Sequence, residues 1–336
     1  MNGVRFAVRL LWLILFEGLA IPGLAVGKLV LATFAVHWLA APAFAVEPVL
    51  VRTIRTPAAG SNSICYQIGM TVDETSGRFY LVDRLNNRVD MFDREGTHTG
   101  SWGGLGSGPG QFNDPTDIVQ TSTGELLITD WKNHRIQVFG FDGTFIRQWG
   151  SFGTGPGQFD SPVGIAVDRS GFVYVVDSWL SRVQKFTLGG QYVTQWGSRG
   201  REPGQFLSCT GVAVGPAGEI VIADQGNDRL QVFDNVGTLL GLRQPSSPAV
   251  VRSPVGVHID SNGKIYVAGW GGNMLCFDAS GQTLLDWNSR IGACRIITNA
   301  AGEMFVSGFN AGEILVYAFP TSVQPTTWSG IKTLLD

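Results

Sequence analysis

The sequence predicts an all-β protein, a six-bladed β-propeller, and three observations carry this prediction. Gly-Pro-Gly-Gln-Phe occurs at 108–112 and 155–159 and returns as Pro-Gly-Gln-Phe at 203–206, so the repeat has a period of 47 residues. Each copy precedes short apolar runs separated by glycine turns, without helical periodicity, which is typical of a propeller blade. The glycine of the first hairpin turn sets the blade count at six: Gly77, Gly124, Gly171, Gly218, Gly263 and Gly302.

Each blade is expected to contain four strands, named a to d from the propeller axis outward. A second glycine series marks the turn between strands c and d, because tight hairpin turns require positive φ: Gly96, Gly143, Gly190, Gly237 and Gly281. Residues 49–56 resemble an isolated fourth strand that would complete the sixth blade and close the ring. Residues 326–330 also resemble a fourth strand, and the sequence leaves open which of the two is the outer one.

The first 45 residues differ in composition from the rest of the chain. Lys28 precedes an apolar stretch that ends in Ala43-Phe44-Ala45, as in a secretory signal, while residues 6–26 are also apolar, with Glu17 and Pro22 among them. We expect either a cleaved signal or a retained membrane anchor, and in both cases an extracytoplasmic propeller, periplasmic or secreted. The predicted organisation is this segment at 1–45, a closing strand and linker at 46–63, the propeller at 64–330 and a tail at 331–336.

The charge and the cysteines exclude several classes of function. Without residues 1–45 the chain has 21 basic and 26 acidic residues, a net charge of −5, so nucleic acid is not an expected partner. The cysteines, Cys65, Cys209, Cys276 and Cys294, show no C-x-x-C spacing, which argues against zinc knuckles and thioredoxin-like sites. Ring closure would bring Cys65 near Cys294; a disulfide and buried free thiols both remain open.

Two further series recur once per blade and are interpreted as scaffold. Tryptophan ends the fourth strand in five blades, with Leu242 in its place in the other, and we expect these side chains to fill the gap between adjacent sheets: Trp102, Trp149, Trp196, Trp287 and Trp328. Aspartate precedes arginine by five residues in four blades, which predicts an ion pair across each hairpin: Asp83 with Arg88, Asp130 with Arg135, Asp177 with Arg182, and Asp224 with Arg229. Blades 5 and 6 have Gly269 and Gly308 at the aspartate position.

The segments 133–139 (Asn-His-Arg-Ile-Gln-Val-Phe), 162–168 and 171–177 resemble the NHL-repeat family over about residues 64–319. The resemblance implies a six-bladed propeller but no particular chemistry, because this fold hosts interaction modules and enzymes alike. Among enzymes, residues 112–119 are similar to blades of the peptidyl-hydroxyglycine amidating lyases. Such a lyase needs imidazoles that converge on zinc, whereas the equivalent strand entries here carry Val or Thr, and His98, His134 and His258 fall on different layers.

A lactonase-like hydrolase would need acidic ligands at the axis, and only Asp114 and Asp117 lie at a strand entry without an assigned partner. The sequence therefore predicts no catalytic residue, no metal site and no cofactor. We expect a non-enzymatic module that binds a protein, peptide or glycan, with a metal-dependent lyase or hydrolase as the alternative. The candidate contact residues follow the second strand of each blade, where the b–c loops share one face: Arg84, Trp131, Trp179, Gln225, Trp270 and Phe309.

Overall fold

The computed structural model describes residues 48–55, 69–244, 251–289, 291–308 and 313–319. The predicted N-terminal signal or anchor, the linker and the C-terminal tail lie outside these residues, as do Cys65, Phe309 and Trp328. None of the helices in the described ranges is long and apolar enough to span a membrane. Two short 3-10 turns, Trp131–Asn133 and Gln225–Asn227, lie among strands.

The described strands form six four-stranded antiparallel sheets, each with the strand order a-b-c-d. The a strands are β2 (Met70–Val72), β6 (Pro115–Gln120), β10 (Pro162–Val167), β14 (Cys209–Val214), β18 (Pro254–Ile259) and β22 (Ala293–Thr298). The b strands are β3 (Phe79–Asp83), β7 (Glu125–Asp130), β11 (Phe172–Asp177), β15 (Ile220–Asp224), β19 (Ile265–Gly269) and β23 (Glu303–Gly308). The c strands are β4 (Arg88–Phe92), β8 (Arg135–Gly140), β12 (Arg182–Thr187), β16 (Arg229–Phe233), β20 (Asn273–Phe277) and β24 (Glu313–Ala318). The d strands are β5 (His98–Gly103), β9 (Phe145–Trp149), β13 (Tyr192–Trp196), β17 (Leu239–Arg243), β21 (Thr283–Asn288) and β1 (Val49–Arg55).

The six sheets form a closed ring, as the glycine count predicts. The a strands of consecutive sheets contact one another all the way round, including β22 with β2, so they surround the axis. Strand β1 pairs with β24 and is the outer strand of the sixth blade. The N-terminal candidate segment therefore supplies the fourth strand of blade 6, and β1 covers the edge of β24 that would otherwise be unpaired.

The core is divided between the blades. Six clusters of buried apolar side chains occupy the six gaps between neighbouring sheets. In the gap between blades 6 and 1, Ile54 of β1 packs with Phe79 and Phe305. Because burial of apolar surface drives folding, β1 contributes to the ring through side-chain packing as well as through its strand pairing.

The tryptophan series fills the gaps between sheets. A Cβ atom added to the c–d turn glycine of the next blade would lie 2.7–2.8 Å from the ring, as for Gly143 and Trp102 or Gly190 and Trp149. Leu242 is not in this series: Arg243 pairs with the strand-c position that faces tryptophan elsewhere, and Leu242 points to solvent. In blade 6 the equivalent side chain is Ile54, which packs against Gly96. The sequence alignment misplaced Leu242 by one residue, and a one-residue shift reverses the side-chain direction in a strand.

The buried thiols are consistent with an interior role. Cys209 and Cys276 are buried and unpaired. Burial raises the pKa of both thiols, to about 12 for Cys276, and protonated thiols are poor nucleophiles and metal ligands. The question of a Cys65–Cys294 disulfide falls outside the described residues and side chains.

Candidate functional site

The b–c loops and the d–a connections share one face of the ring, named the loop face here. Backbone hydrogen bonds join the start of a b–c loop to the connection that enters the same blade: Lys132 donates to Asn113 at 3.0 Å, and Trp270 to Ser253 at 3.1 Å. The a–b and c–d turns lie on the opposite face, the turn face. The predicted binding positions in the described ranges therefore belong to one surface.

The loop face is held by a latch that repeats in blades 2, 3 and 4. In blade 2, Asp130 accepts hydrogen bonds from Arg135 Nε at 2.7 Å and from the Asn113 backbone at 2.8 Å. Arg135 also donates to the carbonyls of Ser107, Gly108 and Gln111 at 2.8–2.9 Å. The predicted ion pairs are confirmed in all four blades. In blades 2, 3 and 4 they also anchor the preceding d–a connection, a role that the sequence analysis missed.

A glutamine and a phenylalanine complete this latch. Gln137 donates to the Gln111 carbonyl at 2.7 Å and accepts from the Gly110 amide at 2.9 Å. Phe112, from the same Gly-Gln-Phe motif, is fully buried between blades 1 and 2. The motif therefore supplies a rigid connection, since its polar groups are satisfied by the blade and its aromatic ring is part of the core. The recurrence of glutamine at Gln184 and Gln231 was the signal that could have revealed it.

Arg84 and Trp131 form a stacked pair on the loop face between blades 1 and 2. The Arg84 guanidinium lies 4.6 Å from the Trp131 ring centre. Asp114 lies between Arg84 and Lys132, at 3.4 and 2.5 Å. Burial opposes the charged form of Asp114, but the bonds from Lys132 and Arg84 outweigh it and lower the pKa of this carboxyl. The cluster is thus charged at neutral pH, and Trp131 is half-buried beneath a cation.

The other candidate residues differ in exposure. Trp179 is 68% exposed and Trp270 43%, while Gln225 is half-buried in its 3-10 turn. Trp179 follows the ion-pair aspartate by two residues, whereas Trp131, Gln225 and Trp270 take the first position after strand b. Trp179 and Lys132 therefore take the second position of their b–c loops, and Trp131, Gln225 and Trp270 the first.

An ion pair crosses the axis beneath the loop face. The six a strands can be compared at one equivalent position, the residue just before the one that pairs with the third-last residue of strand b. The residues at this position, in blade order, are Gly69, Asp117, Gly164, Gly211, Gly256 and Arg295. Arg295 Nη2 of blade 6 lies 3.0 Å from Asp117 Oδ2 of blade 2. Asp117 also accepts from the Ile118 and Ile165 amides at 2.9 and 3.1 Å.

The a strands leave no room for a Cβ atom at glycines of this layer. A Cβ atom at Gly69 would lie 2.4 Å from the Asp117 Cα, and one at Gly164 would lie 2.3 Å from the Thr210 carbonyl oxygen. The a strands therefore approach one another too closely for side chains at these positions, and Asp117 and Arg295 fill the centre of the ring. Burial raises the pKa of Asp117, with Arg295 acting in the opposite direction. Sequence analysis treated Asp117 as unpaired because its partner lies on a non-adjacent blade without a repeat equivalent.

The histidines do not converge on one point in the described structure. His98 is on the outer strand β5, 3.2 Å from Asp90, and His134 bonds the Asp160 carbonyl on the loop face. His258 lies on the inner strand β18, where the Thr298 amide donates to its Nε2 at 3.2 Å. This bond requires an unprotonated Nε2, and burial, with Arg295 nearby, lowers the pKa of His258 to about 4. His258 is thus a half-buried residue of an inner strand whose imidazole is hydrogen-bonded to Thr298.

The residues present do not fit the zinc site of an amidating lyase. Within the described ranges, no group of three histidine, cysteine, aspartate or glutamate side chains is placed to hold a metal ion. The axial carboxylate of Asp117 already has a guanidinium and two amides as partners, so it is poorly suited as a metal ligand. Asp114 and Asp117 are thus engaged in separate ion pairs.

Comparisons with known proteins agree with this architecture. A family model described as a 6-bladed beta-propeller matches residues 117–195, and a model of the NHL repeat matches residues 206–233. No curated protein sequence matches the chain significantly.

Similar solved structures include two propellers with enzymatic names. The virginiamycin B lyase of Staphylococcus aureus is 15% identical, with a TM-score of 0.57, and the match covers 83% of this chain and 90% of the lyase. A gluconolactonase of Xanthomonas campestris is 16% identical, with a TM-score of 0.59 and coverage of 83% and 99%. At this identity the similarity concerns the fold alone. The repeat signature, the family models and the closed ring together identify the chain as a six-bladed β-propeller with NHL-type repeats.

Proposed function

We propose that this protein is a non-catalytic binding propeller that takes up a protein or peptide partner on its loop face. The carrying observation is Trp179, a large ring that is 68% exposed on a blade whose connection is latched to the scaffold. Trp270, 43% exposed, and the Arg84–Trp131 stack lie on the same face. Exposed aromatic and arginine side chains on a rigid frame are typical of interface anchors.

The chemistry of the axis favours binding over catalysis. In the described part of the ring, the central acid Asp117 is neutralised by Arg295, and the inner-strand imidazole of His258 is occupied by Thr298. A general base or a metal ligand at the axis would need one of these groups to be available. Neither the pair nor the imidazole meets this requirement in its present geometry.

Site-specific crosslinking tests the proposal. A photo-crosslinking residue at Gln225 on the loop face is expected to form a discrete adduct in the native host, whereas the same residue at Val236, 61% exposed on the turn face, is not. Trp179→Ala and Trp270→Ala should abolish the adduct with a nearly unchanged melting temperature. Trp149→Ala should instead destabilise the fold, by at most ~3–5 kcal/mol, because its partly buried ring packs between blades 2 and 3. Unfolding of Trp179→Ala to the same extent would assign that ring to the scaffold and contradict the proposal.

A metal-dependent hydrolase or lyase is the alternative, because the lyase and gluconolactonase named above share the fold. The two functions differ in metal content. Stoichiometric zinc or calcium in the purified protein that disappears in Asp117→Asn would support the enzyme and refute the binding-only function.

We further propose that the propeller acts outside the cytoplasm, on the basis of the signal-like segment at 1–45. Mass spectrometry of protein from the native host should find an N-terminus at Val46 or a membrane-retained full-length chain. A soluble cytoplasmic product with residues 1–45 intact would contradict this.

A further inference from the structure

The d strands form the outer edges of the six sheets, and blade 4 departs from the other blades at one exposed position of this strand. The position pairs with the third residue of strand c. Polar side chains on an edge strand disfavour its pairing with another chain, and blade 4 is the one blade that has an apolar side chain here. The residues at this position are Ser101, Gln148, Gln195, Leu242, Asp286 and, in blade 6, Thr53.

The leucine of blade 4 also removes a hydrogen bond from inside the blade. In blades 2 and 3 the glutamine at this position accepts from Nη1 of the latch arginine, at 2.9 Å in each case. Arg229 is the latch arginine of blade 4. Its Nε and Nη2 groups keep their partners, but its Nη1 has none among the described residues. Because the Arg229 side chain is only 10% exposed, Leu242 stabilises the isolated ring less than glutamine would.

Leu242 belongs to an apolar edge on strand β17. Half-buried and exposed residues alternate along this strand, and its two exposed leucines are Leu240, with 62% exposure, and Leu242, with 44%. Strand β17 pairs with β16 on one side, and its other side has no strand partner in the described part of the chain. It carries no charge before Arg243 at its end. An unpaired backbone edge with accessible leucines is the surface that addition of another strand requires.

The edge of β17 is complementary to a second copy of itself. In an antiparallel pairing centred on Gly241, Leu240 of each copy lies opposite Leu242 of the other, so the four leucines form one apolar cluster. The charges favour this direction, because Asp234 and Arg243 are the only charged residues in 234–244 and lie at its opposite ends. Antiparallel pairing brings unlike charges of the two copies together, whereas parallel pairing would bring like charges together.

The size of the contact predicts a reversible dimer. Association would bury the exposed parts of four leucines, equivalent to about two complete leucine side chains, and would join two edges by backbone hydrogen bonds. This contact is smaller than the ~1,600 Å² of a standard protein interface. We therefore expect monomer and dimer to exchange at micromolar concentrations.

We propose that the protein forms a two-fold dimer in which two β17 strands pair antiparallel and join the sheets of blade 4 into one eight-stranded sheet. Strand β17 runs from the turn face to the loop face, so the two loop faces of the dimer point in opposite directions. Both loop faces stay accessible, and the inference does not depend on what they bind. The paired residues are 239–243; Val236 in the preceding turn lies outside them, so the crosslinking control at that position still applies.

Sedimentation equilibrium of protein purified from the native host tests the dimer. We expect the wild type to dimerise reversibly between about 1 and 100 µM. Leu242→Gln should raise the dimer Kd at least about tenfold, because it places a polar group on the edge. Its melting temperature, measured on the monomer, should equal or exceed that of the wild type, since the glutamine can accept from Arg229 as in blades 2 and 3. Leu240→Lys should weaken the dimer to a similar extent without supplying this acceptor.

Ile146→Gln is the matched control. Ile146 is 46% exposed and takes the place of Leu240 on the d strand of blade 2, and its substitution should leave the dimer unchanged. Hydrogen exchange locates the contact: the amides of β17 should exchange more slowly as the protein concentration rises, and those of β13 should not. A wild type that is monomeric at about 100 µM would refute the dimer. The proposal would also be wrong if both leucine variants dimerise like the wild type, if Ile146→Gln weakens the dimer equally, or if dimerisation leaves the exchange of β17 unchanged.

Discussion

The ion pair between Asp117 and Arg295 offers a direct test of how the ring is closed at its centre. Arg295→Met removes the guanidinium and keeps most of the side-chain volume. Asp117 then retains the Ile118 and Ile165 amides but loses its only ionic partner in the described structure. Its side chain is only 5% exposed, so water cannot replace the lost charge.

The expected cost follows from this burial. Removing one partner of a buried pair destabilises a protein by ~3–5 kcal/mol, because the remaining charge is left uncompensated. The double variant Arg295→Met with Asp117→Asn should recover much of this loss, since the amide oxygen can still accept a backbone hydrogen bond and no charge remains. Arg55→Met serves as the control: Arg55 and Glu313 form an exposed pair at 3.6 Å, for which the median contribution is under ~1 kcal/mol.

Denaturant unfolding as a function of pH supplies a second readout. Burial raises the pKa of Asp117 in the folded protein, and loss of Arg295 should raise it further. The folded variant therefore binds a proton that the unfolded chain releases, and its deficit in unfolding free energy should be largest at neutral pH and above and shrink as pH falls towards about 4, the ordinary pKa of an aspartate. A variant as stable as the wild type across this range would show that the pair does not support the ring.

Three other predictions follow from contacts described above. Gly143→Ala should cost ~1–3 kcal/mol more than Gly124→Ala in thermal unfolding: both have φ of +85°, but only at Gly143 would the new Cβ meet a tryptophan ring, at 2.8 Å. Equal melting temperatures would exclude this packing role. Arg135→Ala should lower the unfolding free energy by ~3–5 kcal/mol and speed proteolysis within 104–111; an unchanged cleavage rate would mean that the latch does not hold the connection. For His258, the unfolded chain takes up a proton between about pH 6.5 and pH 4 that the folded protein does not, so stability should fall as pH falls through this window. His258→Gln should flatten this dependence, and an unchanged slope would assign it to other groups.

Local repeats made the architecture predictable from the sequence. The turn glycines, the Asp–Arg spacing and the isolated strand at 49–56 each correspond to a feature confirmed in the structure. Each signal recurs at a fixed period, so the physical requirement behind it, such as positive φ in a turn, can be recognised in one blade and checked in the next. The register of the d strand in blade 4 was harder to predict from the sequence, since Arg243 rather than Leu242 takes the position of tryptophan in the other blades.

The candidate site was less predictable because its features are not periodic. Asp117 and Arg295 occupy places where four other blades have glycine, and only the closed ring brings blades 2 and 6 together. The stack of Arg84 on Trp131 likewise depends on the distance between two loops from different blades. Sequence pattern identified the b–c positions as a set, but exposure distinguishes Trp179 from the half-buried Trp131.

The place of β1 has a mechanical consequence. Strand β1 runs antiparallel to β24, from Val49 at the turn face to Arg55 at the loop face. A tether attached ahead of Val49 and a load held on the loop face would pull β1 along its own length. The force would then load all the hydrogen bonds between β1 and β24 in shear at the same time. Ile54, which packs against the turn at Gly96, would add to the resistance. In a hairpin that is peeled open, by contrast, the hydrogen bonds break one after another.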